Sequence, residues 1–223
     1  MPAAFRDRHD AGRQLADRLK SYAHRDDVVV LGLPRGGVAV AYEVAEHLGV
    51  PLDVFLIRKL EVPGHEDLVM GAVASGGLRV IDEDLVDALC IPVQEIESIA
   101  DREQGEIDRR ERLYRGERPV PEIAGRTVIL VDDGVATSGY MQDAVAALRQ
   151  LEPEKVVVAV PVAPRTVCEL IRLGVDETVC VLTPEPFIAV DVWYEDFFPI
   201  EDTVVHELLE KHALAPGHGT TAA

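Results

Sequence analysis

Short runs of consecutive apolar residues recur along the chain, and most are followed by a stretch with helical spacing. VVVLGL (28–33), LDVFLI (52–57), VILV (128–131), KVVVAVP (155–161) and ETVCVL (177–182) are rich in β-branched residues. Gly, Pro or acidic residues bound them. Such runs are the signature of strands buried on both faces, as in a parallel sheet. Between them, Ala11, Leu15, Leu19 and Tyr22 line one face of a first helix for which Asp10 is a candidate cap. Further helices are predicted at 38–48, 143–151, 165–173 and 204–214, the last with Asp202 or Thr203 as cap. Strands alternating with helices predict an α/β fold with a central parallel sheet flanked by helices and right-handed crossovers.

Three stretches break the alternation. LEVPGHEDLVMGAVASGG (60–77) holds four glycines (Gly64, Gly71, Gly76 and Gly77) in no clear period and reads as a long lid or binding loop, with a short strand at 78–81 beyond it. Residues 82–114 carry a narrow apolar stripe (Val93, Ile96, Ala100, Ile107, Tyr114) among many charges, interrupted by Gly105. They predict a helical insertion at about 82–120, ended by Pro119 and Pro121, that lies over the body or against a second subunit of a homo-oligomer. The segment PFIAVDVWYEDFFPIED holds the one Trp and three of five Phe, and reads as a hydrophobic plug or as part of a small hood. The last nine residues, 215–223, read as a disordered tail.

Length and charge narrow the function. At 223 residues a single domain over 1–223 with a full core is expected. Acidic residues outnumber basic ones 40 to 22, for a net charge of −18, which argues against nucleic acid as a partner. No apolar run approaches the roughly 18 residues that span a bilayer, and the first residues lack the apolar core of a leader, so no membrane partner and a cytoplasmic location are expected. Cys90, Cys168 and Cys180 are far apart without C-x-x-C spacing. They read as small core residues, neither a zinc site nor a disulfide framework.

The chemistry concentrates where strands end. The strand 128–131 runs into Asp132 and Asp133, then a turn of small and hydroxylated residues, then a helix. A strand, a tight turn and a helix start form an anion site, because unpaired N–H groups and the helix dipole converge there. GLPRGG (32–37) after the first strand is a second such turn, and Arg58-Lys59 close the next strand. All three fall at carboxyl ends of strands, where parallel sheets bind ligands. The acidic pair has three readings. It can cap the next helix. It can be the acidic cluster of a phosphorelay receiver, but the following strand lacks the required Asp. It can clamp a ribose diol while the turn binds a 5′-phosphate.

These residues carry a resemblance. VILVDDGVATSG resembles the phosphoribosyl pyrophosphate (PRPP) signature of type I phosphoribosyltransferases, GLPRGG their pyrophosphate loop, and Arg58-Lys59 the start of their mobile loop. The similarity extends through WYEDF and is greatest to a bacterial group of predicted phosphoribosyltransferases sharing LPRGG, IRKL, GAVA, VDDGVAT and that tail. It implies the type I phosphoribosyltransferase fold and transfer of 5-phosphoribose from PRPP to a small-molecule acceptor, a nitrogenous base, with Mg²⁺ as cofactor. By position it implies Asp132 and Asp133 on the ribose hydroxyls or the metal, and Ala136, Thr137, Ser138, Gly139 and Tyr140 on the 5′-phosphate. Arg35, Gly36 and Gly37 would meet pyrophosphate, with Arg58 and Lys59 as cationic catalytic residues and Trp193 and Tyr194 in the acceptor hood. Ala136 replaces the Asp usual in oxopurine members, which disfavours a 6-oxopurine. Ser138 and Tyr140 depart from the usual T-G-x-T and motivate the alternative of a non-catalytic PRPP or nucleotide sensor.

Overall fold

The computed structural model describes residues 4–215, so all but the first residue of the tail expected at 215–223 lies outside the described residues. Its centre is a five-stranded parallel sheet of β1 (Val28–Gly32), β2 (Leu52–Val54), β6 (Thr127–Val131), β7 (Lys155–Val162) and β8 (Glu177–Leu182), in the order β2-β1-β6-β7-β8. β1 and β6 pair in register from Val28↔Thr127 to Gly32↔Val131. The order reverses at β1, so the switch point lies between the carboxyl ends of β1 and β6, where a doubly wound sheet binds its ligand.

Alternate strand residues feed two cores, which explains the unbroken apolar runs. Val28, Val30, Ile129, Val131, Val157 and Ala159 face one side, packed with helices α1 (Arg8–Arg18), α2 (Gly36–Leu48) and α7 (Asp202–Ala213). Val29, Leu31, Val128, Leu130, Val156 and Val158 face the other, against α5 (Gly139–Arg149) and α6 (Arg165–Arg172). The ends of α1 and α7 differ from expectation. Asp7, not Asp10, caps α1 by accepting from the Asp10 amide at 2.7 Å. Glu201 precedes α7, whose start has no side-chain cap, and Asp202 instead accepts from Tyr114 at 2.5 Å.

The largest departure lies between residues 52 and 81. The run 52–57 is not one strand: β2 ends at Val54 and the chain turns into a second sheet. That sheet is antiparallel and comprises β3 (Ile57–Val62), β4 (His65–Ala74) and β5 (Leu78–Ile81). The stretch read as a long loop is therefore mostly sheet. Its glycines hid the pattern, and one is required by packing: a Cβ on Gly71 would stand 2.1 Å from the Val80 carbonyl. The helical stretch that follows forms α3 (Glu83–Leu89) and α4 (Val93–Arg115), and α4 runs through Gly105 without a break. Ala100, Ile107 and Tyr114 of α4 are buried against this chain's own body. A buried ion pair, Arg115 Nε to Asp53 Oδ2 at 2.9 Å, pins the end of α4 to β2.

The cysteines also differ from expectation. Cys168 of α6 and Cys180 of β8 form a disulfide, because α6 folds back along β8 and brings residues 12 apart together. Cys90 is exposed at the end of α3.

Candidate active site

β6 delivers Asp132 and Asp133 to the switch point, and the two loops beside them start helices. α2 begins directly at Gly36 and α5 at Gly139, and neither start carries a side-chain cap. Each leaves its first N–H groups for a ligand. The turn 34–37, which contains a cis peptide between Pro34 and Arg35, approaches the acidic pair so closely that side chains are excluded. A Cβ on Gly36 would lie 1.9 Å from Asp133 Oδ2, and one on Gly37 would lie 2.8 Å from the Asp132 Cα. Glycine here is a condition of the contact between the two loops.

The acidic pair is electrostatically crowded. The Asp133 amide donates to Asp132 Oδ1 at 2.8 Å. Burial pushes the Asp132 carboxyl well above the usual carboxylate range, the Asp133 charge adds to this, and Arg8 opposes it. Arg8, in the first turn of α1, donates from Nε to Asp133 Oδ2 at 2.7 Å. Tyr194 donates its hydroxyl to the Asp133 carbonyl at 2.5 Å. The Val135 amide donates to the Val162 carbonyl at 3.0 Å, which fixes the turn that leads to α5.

The other candidates are distributed around this centre. Ala136, Thr137 and Gly139 are exposed at the start of α5, with Ser138 between them and Tyr140 half-buried. The Tyr140 hydroxyl donates to the Ile57 carbonyl at 3.4 Å, and burial raises its pKa, with the Asp132 charge as the next cause. Arg58 and Lys59 lie inside β3 rather than closing a strand. Strand alternation turns them to opposite faces of the second sheet. Arg58 donates to Glu103 of α4. Burial raises the Glu103 carboxyl, but hydrogen bonds from Arg58 and Arg102 outweigh it and hold the group below its ordinary range. Lys59 is exposed near Asp143 of α5, whose carboxyl is raised by burial, with the Lys59 charge opposing.

Trp193 and Tyr194 are 8% and 6% exposed and pack with Phe5, Ala11 and Val162, as a hydrophobic plug would. Sequence reasoning missed Arg8 and Glu103. Neither stands in a motif, and their partners are 125 and 45 positions away, so no local pattern marks them. Among the described residues no three His, Cys, Asp or Glu side chains converge on one point. A cation here would rest on the acidic pair and on ligand oxygens. No helix of the described residues is long and apolar enough to cross a membrane.

Comparison with known proteins identifies the family. A family model described as "Phosphoribosyl transferase domain" matches residues 6–192. Two curated Mycobacterium tuberculosis proteins, from strains CDC 1551 and H37Rv, are described as "Putative phosphoribosyl transferase". Each is 41% identical to this chain over 208 residues, covering 93% of it and 46% of the relative. The chain thus spans about half the length of the curated relatives it matches. The crystal structure of TT1426 from Thermus thermophilus is 41% identical, covers 93% of this chain and 98% of its own, and superposes with a TM-score of 0.82. The parallel sheet, its switch-point acidic pair and the family match over most of the chain together show that this protein belongs to the phosphoribosyl transferase domain family, with the type I fold.

Proposed function

We propose that this chain is a Mg²⁺-dependent phosphoribosyltransferase that moves 5-phosphoribose from PRPP to a nitrogenous base and releases pyrophosphate. One observation carries the reading: the open helix start at Gly36 meets the acidic pair, and a second open start, at Gly139, follows that pair within the same loop. PRPP has the same order of groups, a pyrophosphate, a ribose diol and a 5′-phosphate. In this reading the α5 start, Ala136 to Tyr140, takes the 5′-phosphate. The turn of Arg35, Gly36 and Gly37 takes pyrophosphate, with positive charge from Arg58 or Lys59, whichever face of β3 turns to the ligand. Asp132 and Asp133 accept from the ribose hydroxyls.

The acidic pair also suits Mg²⁺, which binds through one or two carboxylates and completes its shell with water and substrate oxygens. Burial and, next, the Asp133 charge disfavour the ionised Asp132, and a bound cation would offset both. When bound, the metal would neutralise charge developing on the leaving pyrophosphate. In the reaction the C1′–O bond to pyrophosphate breaks, with its electron pair leaving on pyrophosphate, a bond from the acceptor nitrogen to C1′ forms, and the acceptor's N–H proton passes to solvent, through an oxocarbenium-like state that needs no protein nucleophile. The chain's part is to hold C1′ near the acceptor, to neutralise the leaving group and to exclude water. Ala136 offers no carboxylate to an oxopurine, so adenine-like or non-purine bases are the first acceptors to test.

The test is pyrophosphate release from PRPP across a panel of bases, with Asp133→Asn as the comparison. Base-dependent release that the substitution abolishes is the expected result. Release unchanged in the variant would overturn the role of the acidic pair. One observation favours a second reading, a PRPP or nucleotide sensor without turnover: the Tyr140 hydroxyl is engaged with the Ile57 carbonyl instead of being offered to the phosphate turn. Calorimetry separates the two, since tight PRPP binding with no release for any base supports the sensor.

A further inference from the structure

Tyr194 meets the backbone of Asp133 from outside both ligand loops, whereas Arg8 meets its carboxylate. The Arg8 side chain is 9% exposed, and three contacts fix its guanidinium. Nε donates to Asp133 Oδ2 at 2.7 Å and Nη1 to the Phe198 carbonyl at 2.8 Å. The guanidinium carbon stacks over the Phe197 ring at 3.8 Å. The partners of Arg8 are themselves braced. Phe197 packs on Tyr194 with ring centroids 4.8 Å apart, and Tyr194 on Phe5 at 5.2 Å. The Phe5 and Ala4 amides donate to the Trp193 carbonyl, and the Glu195 and Asp196 amides donate back to the carbonyls of Phe5 and Arg6. The aromatic segment therefore grips the residues just before α1 and points Arg8 at Asp133.

We propose that Arg8 is the positioning residue of the acidic pair, and that the segment from Trp193 to Phe198 serves to hold Arg8 rather than to cover an acceptor. This rests on the proposed ribose-binding role of Asp132 and Asp133. A planar fork with several donors reaches a carboxylate and a carbonyl at once, which a single ammonium does less well. With Asp133 oriented over Gly36 and its charge compensated, the diol meets a carboxylate pair of fixed geometry. Without Arg8 the two carboxylates repel and Asp133 is free to turn.

Three variants, Arg8→Met, Arg8→Lys and Phe197→Leu, test this by calorimetry with ribose 5-phosphate and with inorganic pyrophosphate, after melting curves establish that each is folded. Arg8→Met is expected to lose about 10- to 100-fold in ribose 5-phosphate affinity, the worth of one charge-assisted hydrogen bond, and much less for pyrophosphate. Arg8→Lys should recover part of the loss, and Phe197→Leu should show a smaller loss of the same selectivity. A folded Arg8→Met that binds ribose 5-phosphate like the parent, or loses both ligands equally, overturns the proposal. A second measurement needs no ligand. The Arg8 Nε–H should give a slowly exchanging guanidinium NMR signal that Asp133→Ala, which removes the acceptor, abolishes. If that signal is unaffected, the positioning role fails. If it behaves as expected while the parent binds neither ligand, the fault lies with the ribose-binding reading instead.

Discussion

Arg58 and its chain neighbour Lys59 point to opposite faces of β3: Arg58 donates to Glu103 of α4, whereas Lys59 is the cation near Asp143 of α5. Two charges that read as one dipeptide in the sequence are thus separate devices on two sides of the second sheet. The double variant Arg58→Ala/Lys59→Ala should weaken pyrophosphate binding more than ribose 5-phosphate binding. The single variants should differ from one another, with a loss of about tenfold from whichever cation meets the ligand. Equal losses of both ligands in calorimetry would contradict the assignment.

Gly36 is where the two loops meet. In Gly36→Ala the added methyl would fall 1.9 Å from Asp133 Oδ2 and 2.9 Å from Arg8 Nε, so the acidic pair must shift. PRPP binding should drop beyond easy detection by calorimetry. Gly139→Ala, whose methyl would meet nothing within 4 Å, should leave the melting temperature unchanged or slightly raised. A normal PRPP affinity in Gly36→Ala would mean that the contact is not part of the binding site.

The Asp53–Arg115 pair is buried on both sides, at 8% and 7% side-chain exposure. Removing Asp53 leaves the buried Arg115 with only its longer contact to Glu111, at 3.6 Å. Asp53→Ala should cost up to about 3–5 kcal/mol in urea unfolding, because the cost is that of a poorly compensated buried ion rather than of the pair itself. Asp53→Ala/Arg115→Met should recover much of it. A double variant as unstable as the single would show that packing, not charge, dominates there.

Stability should carry a pH signature from His9 and Glu43, whose side chains meet at 2.9 Å and link α1 to α2. The hydrogen bond to Glu43 raises the His9 pKa, and the same bond lowers that of Glu43. A raised His contributes stability that is fully present below its unfolded pKa, about 6.5, and is lost as pH rises through the folded value. A lowered Glu contributes above its unfolded pKa, about 4.3, and loses this as pH falls through the folded value. His9→Gln should therefore lower the melting temperature most between about pH 4.3 and 6.5, and progressively less as pH rises through the raised folded value. The effect will be small, since His9 is 44% exposed and screened by solvent. A difference that grows toward alkaline pH would reverse the sign and refute the linkage.

Much of this protein is determined by its sequence alone. The runs at 28–33, 128–131, 155–161 and 177–182 specify strands, and Pro34–Gly37 and Gly134–Gly139 specify the turns after two of them, because hydrophobic period and turn chemistry act between near neighbours. The placement of Asp132 and Asp133 at a strand end follows from the same local information. What required the tertiary structure is everything that depends on residues far apart in the chain. The second sheet was hidden because Gly64, Gly71, Gly76 and Gly77 break the alternation that marks strands, and Gly71 is glycine only because Val80 passes beside it. The disulfide between Cys168 and Cys180 depends on how α6 returns along β8. Arg8 depends on a fold that carries α1, the aromatic segment and β6 to one place, across 125 residues of chain. A sequence records which groups are present and their local period, but which charge faces which is decided only when the helices and sheets pack.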